Sequence, residues 1–92
     1  MKVGHDARHD AAYFSFADVD AVRQEKLDDG RIVDYGADGS VVGVEFLAPS
    51  QGLNLAGVPR APEIARAARR HGLRILPVLG IDLAASRGST DP

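Results

Sequence analysis

The chain has 92 residues, a net charge of −2 and no cysteine. This length fits one domain that buries about two-thirds of its unfolded surface, so the expected stability is modest. The lack of cysteine excludes a disulfide and a thiolate zinc site. No stretch approaches the ~18 apolar residues of a membrane span. The N-terminus MKVGHDARHD is charged and lacks the apolar core of a secretion signal, so we expect a cytoplasmic protein.

Charge is distributed unevenly along the sequence. Residues 1–58 carry five basic residues and ten carboxylates, whereas residues 59–92 carry six arginines and three carboxylates. The acidic and basic parts can attract each other within one chain or between two copies. Since there are only five aromatic residues, we expect a mainly aliphatic core. Self-association would let so small a domain bury more apolar area.

The first third of the chain predicts three strands. MKVGHD and AAYFSFAD flank the turn-forming residues HDARHDA, which indicates a hairpin. Ala12, Phe14 and Phe16 would share one face of the second strand. VRQEKL is highly polar and suits an exposed edge strand, because its charged side chains discourage pairing between sheets. The DDG sequence at 28–30 predicts the turn that follows.

RIVDY and VVGVEFL flank GADGS and give the strongest local prediction, a β-hairpin. A one-residue slip would mix polar and apolar residues on both faces, so the register is well defined. Val42, Val44 and Phe46 are expected to face inward, and Gly43 and Glu45 outward. The predicted pairs are Gly36–Val41, Tyr35–Val42, Asp34–Gly43, Val33–Val44, Ile32–Glu45 and Arg31–Phe46.

PEIARAARRHG predicts the one clear helix, at 62–71. Its acidic residue lies in the first turn, its basic residues lie in the last turn, and Gly72 is a suitable C-terminal stop. The residues expected to face the sheet are Ile64, Ala65, Ala68 and Gly72.

The segments around this helix are less regular. The Pro- and Gly-rich segment before the helix is expected to be a loop, with Leu53, Leu55 and Val58 tucked beneath it. A short strand is expected near 73–79, where Pro77 marks an edge or an end. AASRGSTDP, at the C-terminus, is small and polar.

These elements predict an α+β fold. An antiparallel β-meander of four to five strands spans residues 2–47, one C-terminal helix packs on it, and a short strand follows. Residues 1–83 would form a single domain, and residues 84–92 a flexible tail. A single Ala-rich helix covers one face of such a sheet poorly, so we expect a homodimer.

HDARHDAAYFSF, followed by LDDGRIVDYGADGSVVGVEFL, resembles the small bacterial proteins grouped as domain of unknown function 2283. The resemblance covers residues 2–48, but His5 replaces the family's usual Tyr and Gly36 a commonly acidic residue. It implies no established activity. Some members are similar to the antitoxin-like partner of a small toxin, which implies a protein-binding role. The matching residues are Asp6, Asp10, Ala11 and Tyr13 in the first block, and Asp38, Gly39, Val41, Val42, Gly43, Glu45 and Leu47 in the second.

The HDARHD segment offers His5 and His9 as metal ligands. A four-residue spacing brings two imidazoles together on a helix, but this segment is predicted to be a hairpin turn, where the rings do not converge. The alternative is a solvated turn in which Asp6 and Asp10 cap free backbone amides. We therefore predict no metal and no other cofactor.

Asp34 and Glu45 form a candidate carboxylate pair on the outward face of the predicted hairpin. Two neighbouring carboxylates can raise each other's pKa and share a proton or a cation. Glycoside chemistry needs such a pair at about 5 Å within a deep cleft, and a domain of this size has little material to build one. The alternative is a solvated pair, or one that meets Arg23, Lys26 or a helix arginine.

Arg66, Arg69, Arg70 and Arg74 form the basic candidate site. Guanidinium groups bind phosphate and carboxylate well. Nucleic-acid binders usually interleave aromatic residues or carry a net positive charge, and this tract and this chain have neither. Contacts with an acidic sheet, or simple solvation, are the alternatives.

The sequence contains no phosphate-binding glycine motif and no nucleophile elbow. We therefore expect a non-catalytic binding module that acts through homo-oligomerisation or through a partner protein, with an antitoxin-like role as one form of this. The alternatives are RNA or DNA binding through the helix arginines and a small enzyme that uses Asp34 and Glu45.

Overall fold

The computed structural model describes residues 1–77. The expected strand residues 78–79, the remainder of the 1–83 domain and the predicted tail at 84–92 lie outside the described residues. The elements are β1 (Lys2–Asp6), β2 (Ala11–Ser15), β3 (Arg23–Asp28), β4 (Arg31–Tyr35), β5 (Val41–Leu47), a 3₁₀ turn (Pro49–Gln51) and α1 (Ala61–Arg70).

The predicted α+β fold, an antiparallel sheet with one helix, is confirmed. The five strands lie in the order β1-β2-β5-β4-β3, and every neighbouring pair is antiparallel. The chain therefore forms a hairpin, β1–β2, and a three-stranded meander, β3–β4–β5. These two units join where β5 pairs with β2, so the last of the five described strands occupies the centre of the sheet.

The predicted β4–β5 hairpin forms, and its faces are assigned correctly. Val42, Val44 and Phe46 are buried, while the half-buried Glu45 lies on the other face of the sheet. The confirmed pairs are Arg31–Phe46, Ile32–Glu45, Val33–Val44 and Asp34–Gly43.

The register predicted nearer the turn is wrong. A bulge follows the last confirmed pair, so Tyr35 pairs with Val41 rather than with Val42. Val42 is the extra residue of β5. Its carbonyl oxygen accepts the backbone N–H of Phe16, which lies on the β2 side of β5, at 2.7 Å. Gly36 consequently donates its N–H to the Ser40 carbonyl oxygen at 2.9 Å. The bulge lets Val41 pack against the core beside the buried Val42.

The core lies between one face of the sheet and the apolar side chains of α1 and of the loop that precedes it. Phe14 and Phe46 are almost fully buried, and their rings meet edge to face with centroids 5.7 Å apart. This aromatic pair sits at the β2–β5 junction, so it joins the hairpin to the meander. The remaining core is aliphatic, as expected. It is completed by Ala12, Val33, Val44, Leu53, Leu55, Val58, Ile64, Ala67 and Ala68.

The helix begins one residue earlier than predicted and ends at Arg70. Arg60 precedes it in a left-handed conformation and forms an ion pair with Glu63, with Nε 2.6 Å from Oε1. The Arg60 guanidinium also lies 4.0 Å from the centroid of the Phe16 ring, which ties the helix start to the end of β2. Of the residues expected to face the sheet, Gly72 is exposed, and Ala67 is buried instead.

The segment after the helix is held by backbone hydrogen bonds. Leu53 forms an isolated parallel bridge with Ile75, within the region where a short strand was expected. Its N–H donates to the Arg74 carbonyl oxygen at 2.8 Å, and its own carbonyl accepts the Leu76 N–H at 2.9 Å. Within residues 1–77, no helix has both the length and the apolar character needed to cross a membrane.

Candidate functional site

The sheet has a second face, directed away from α1, which we call the open face. Strand alternation places every other residue of each strand on it. It is polar at the two edges, whereas aromatic, aliphatic and acidic side chains share its centre. Its residues are Lys2, Gly4, Asp6, Ala11, Tyr13, Ser15, Gln24, Lys26, Ile32, Asp34, Gly43, Glu45 and Leu47.

The centre of the open face is organised by the close approach of Tyr13 to Gly43. Tyr13 pairs with Glu45, two residues from Gly43 along β5, and its ring lies across the backbone of that strand. A Cβ atom at position 43 would overlap the phenol oxygen and Cζ of Tyr13 and would lie 2.9 Å from the Phe14 carbonyl oxygen. Only glycine leaves room for this crossing.

Because the Tyr13 ring lies across β5, its hydroxyl reaches Asp34 on β4. The phenol donates to Asp34 Oδ2 at 3.0 Å, and Gln24 Nε2 donates to Asp34 Oδ1 at 2.9 Å. Both oxygens of this carboxylate are therefore held by donors from β2 and β3. Burial raises the pKa of Tyr13 to about 12, helped by the hydrogen bond to Asp34 and by the negative charges of Asp34 and Glu45.

Glu45 lies beside this network in the middle of the sheet, between Tyr13 on β2 and Ile32 on β4. It borders a shallow depression of about 250 Å³ together with Tyr13 and Gly4. Asp34 does not line this depression. The predicted carboxylate pair thus shares a face, but the two groups do not line one cavity, and the volume is below the ~300–1,000 Å³ of usual ligand pockets.

The alternatives to a carboxylate site were that Asp34 and Glu45 face solvent, or that they meet Arg23, Lys26 or a helix arginine. Among residues 1–77 neither carboxylate forms an ion pair: Lys26 pairs instead with Asp29, at 3.6 Å. The Arg23 guanidinium lies 4.1 Å from the centroid of the Tyr35 ring. Asp34 is held instead by the neutral donors of Tyr13 and Gln24.

The four arginine candidates lie on two segments, three on α1 and one beyond its C-terminal end. Arg66, Arg69 and Arg70 are exposed on α1, and none of them forms an ion pair with another residue in 1–77. Arg74 lies beyond the helix, and its Nη2 donates to the Gln51 carbonyl oxygen at 3.1 Å. The helix therefore presents three arginines to solvent, whereas the fourth ties together two loop segments.

The HDARHD segment contains the end of β1 and then the predicted turn, at residues 7–10. Asp6 accepts the backbone N–H groups of Arg8 and His9 at 3.0 and 3.1 Å, and its Oδ2 lies 2.7 Å from His9 Nδ1. The His9 hydrogen bonds lower the pKa of Asp6. Asp10 accepts the Ser50 N–H at 3.0 Å. In the described part of the chain, no group of three or more potential metal ligands occurs.

Two contributors to the open-face network were missed at the sequence level. Tyr13 and Gln24 are 21 and 10 residues from Asp34 in the chain, and neither local pattern nor spacing connects them. Gly43 was the available signal, because a glycine inside a strand often marks the close approach of another group.

The described structure is a small α+β module with one covered and one open sheet face. The family described as "Protein of unknown function (DUF2283)" matches residues 2–50 of this chain, and the chain belongs to that family. No curated protein and no solved structure matches it. The two sequence blocks that carry the family resemblance meet in the structure, because Tyr13 of the first block lies against Gly43 and Glu45 of the second.

Proposed function

We propose that this chain is a non-catalytic interaction module whose open face binds a partner protein through arginine or lysine side chains. The observation that carries the proposal is the ordered acceptor set at the centre of this face. Asp34 is fixed by Tyr13 and Gln24, Glu45 lies next to Tyr13, and neither carboxylate has a cationic partner within residues 1–77.

The geometry of Asp34 favours recognition of a cation. Each carboxylate oxygen can accept two hydrogen bonds, and each already accepts one from a neutral donor. A further acceptor site remains on each oxygen for a guanidinium fork or an ammonium group. Because Tyr13 and Gln24 already restrict the side chain, binding would lose little conformational entropy at this residue.

The surroundings of the carboxylates resemble the composition of protein interfaces. Tyr13 and Ile32 are half-buried beside Glu45, and Leu47 on the same strand is 43% exposed. Interface centres combine aromatic and aliphatic contact area with a few oriented polar groups. An arginine could stack on the Tyr13 ring while its fork meets a carboxylate.

The similarity of some family members to antitoxin-like proteins suggests the class of partner. We propose a small, basic, toxin-like protein that meets the acidic open face in the bacterial cytoplasm. Charge complementarity would increase the association rate and discriminate against acidic proteins.

Affinity capture from a native lysate tests this proposal with three baits. These are the unmodified chain, an open-face variant (Asp34→Asn with Glu45→Gln) and a helix variant (Arg66→Gln, Arg69→Gln and Arg70→Gln). We expect the unmodified and helix baits to retain one stoichiometric basic protein, and the open-face bait to lose it. Retention of the same protein by the open-face bait would contradict the proposal.

A second candidate function is nucleic-acid binding through Arg66, Arg69 and Arg70, and one observation favours it. These three guanidinium groups are exposed and have no carboxylate partner within residues 1–77. A binder of this kind loses affinity steeply as salt rises, in proportion to the phosphates it neutralises. Co-purifying nucleic acid that only the helix bait loses would favour this function over the open-face proposal.

A further inference from the structure

Among residues 1–77 no strand lies beyond the outer edge of β1, and some of its backbone groups point away from the sheet. The Phe16 N–H donates to β5 and the Asp10 carbonyl accepts from Ala48, so the even-numbered residues of β2 bond to β5. Antiparallel ladders alternate, and the odd-numbered residues of β2 therefore bond to Lys2, Gly4 and Asp6 of β1. The N–H and C=O groups of the intervening residues, Val3 and His5, face outward.

The opposite edge of the sheet is protected, and β1 is not. On β3, Arg23 and Glu25 stand opposite Tyr35 and Val33, so charged side chains point toward the helix side of the sheet. The register of β3 also shifts between Lys26 and Asp28. Inward-pointing charges and bulges are common devices that prevent edge-to-edge pairing. On the helix side β1 carries only Val3 and His5, and no proline interrupts it.

The sequence of β1, KVGHD, is complementary to itself in the antiparallel direction. With Gly4 opposite the partner's Gly4, Val3 stands opposite the partner's His5, and these are the residues whose backbone groups face outward. Lys2 then stands opposite the partner's Asp6 on the open face, and the two-fold axis repeats this ion pair. Lys2 and the partner's Asp6 do not exchange backbone hydrogen bonds in this register. Side chains approach each other most closely in pairs of this kind, which favours the ion pair.

We propose that two copies of this chain pair through β1 in this register and form a continuous ten-stranded antiparallel sheet. Four backbone hydrogen bonds and two Lys2–Asp6 ion pairs join the copies. The two open faces lie side by side on one surface. A five-residue edge buries little area, so the dimer is weak and concentration-dependent. The proposal does not depend on the function suggested for the open face.

Sedimentation of the full chain, with any tag at the C-terminus so that β1 stays free, tests the proposal. We expect reversible dimerisation. Lys2→Glu places like charges opposite each other at both symmetric positions and should weaken the dimer by about tenfold. Lys26→Glu, the same charge change on the protected edge, is the matched control and should leave dimerisation unchanged. A monomer at about 1 mM, or equal effects of the two variants, would overturn the proposal.

The register is tested by mixing two variants. Lys2→Glu and Asp6→Lys each place like charges opposite each other in their own homodimer. In the mixed dimer, position 2 of the Lys2→Glu copy stands opposite the lysine at position 6 of the other copy. The unchanged Asp6 of the first copy then stands opposite the unchanged Lys2 of the second. Native mass spectrometry should therefore show a heterodimer in excess of either homodimer. A statistical mixture would contradict this register. Circular dichroism of each variant verifies the fold, because Asp6 also binds the backbone of Arg8 and His9.

The backbone pairing has its own test. His5→Pro removes an N–H that faces the free edge and spares the hydrogen bonds between β1 and β2, whereas His5→Ser removes the same imidazole and keeps that N–H. We expect the proline variant to be monomeric and the serine variant to dimerise. If both variants dimerise equally, the contact lies elsewhere on the molecule and the proposal fails.

Discussion

The covered face and the open face of the sheet are built from alternate residues of the same strands, but different interactions organise them. On the covered face Phe14, Val44 and Phe46 are almost fully excluded from water. On the open face, one residue away, Tyr13 reaches across β5 to a hydrogen-bonded carboxylate. The comparison shows that packing of apolar side chains organises one side of the sheet, while hydrogen bonds hold polar groups in a defined position on the other.

Removing a ring from the covered face should have the largest effect. Phe14→Ala leaves a cavity at the β2–β5 junction and should lower the free energy of unfolding by about 3–5 kcal/mol. This is a large share of the ~5–15 kcal/mol typical of small domains. Urea denaturation followed by circular dichroism measures the change. A loss below about 1 kcal/mol would contradict the assignment of this face as the structural core.

A methyl group at position 43 should cost less and should act through Tyr13. Gly43→Ala forces the Tyr13 ring off the β5 backbone and should destabilise the chain by about 1–3 kcal/mol. In the Tyr13→Ala background the same substitution should cost much less, although the close Phe14 carbonyl oxygen still resists it. A double-mutant cycle measures the coupling. Additive effects of the two substitutions would mean that the ring does not lie over Gly43.

Removing only the Tyr13 hydroxyl should have a smaller effect, and this effect should depend on pH. Tyr13→Phe keeps the ring but loses the hydrogen bond to Asp34, at about 0.5–1.5 kcal/mol near neutral pH. The folded-state pKa of Tyr13, about 12, lies above the ordinary value of 10.0. The stabilisation that the neutral Tyr13 hydroxyl contributes is therefore complete below pH 10.0 and is lost as pH rises toward about 12.

Denaturation across this alkaline range, with the two proteins compared at each pH, checks the Tyr13 prediction. The difference in unfolding free energy between the original chain and Tyr13→Phe should shrink as pH rises. A difference that stays constant through pH 12 would show that the phenol is not held in its neutral form by the fold.

The smallest effect is expected at the helix surface, outside both sheet faces. Arg66 is exposed and forms no ion pair within residues 1–77, so Arg66→Gln should change the free energy of unfolding by less than about 0.5 kcal/mol. Thermal denaturation by calorimetry measures this. A larger loss would indicate that Arg66 has a structural partner, and would weaken its candidacy for contact with other molecules.

The parts of the fold that could be predicted from sequence are those fixed by local chemistry. The turn at Asp38 and Gly39 and the alternation of β5 were sufficient to place Val44 inward and Glu45 outward. The bulge was missed because it is accompanied by the backbone hydrogen bond between Phe16 and Val42. Phe16 follows β2 and so belongs to the other hairpin. Pattern and turn residues determine register only between neighbouring segments.

The candidate site was predicted in part, for the same reason. Asp34 and Glu45 were placed on a common face by the local hairpin. Tyr13 joins them only because β5 lies next to β2, and this pairing connects segments about 30 residues apart in the sequence. No periodicity in the chain encodes such a contact, although Gly43 indicated that some group would approach the strand closely.

The position of the Tyr13 ring is the central structural claim, and proton NMR of the folded chain tests it most directly. We expect nuclear Overhauser contacts between the Tyr13 ring protons and the Gly43 α-protons, with the Gly43 resonances shifted by the ring current and restored in Tyr13→Ala. Contacts from the Tyr13 ring to the side chains of Val33 and Val44 would instead place the ring in the core and would contradict the assignment of the two faces.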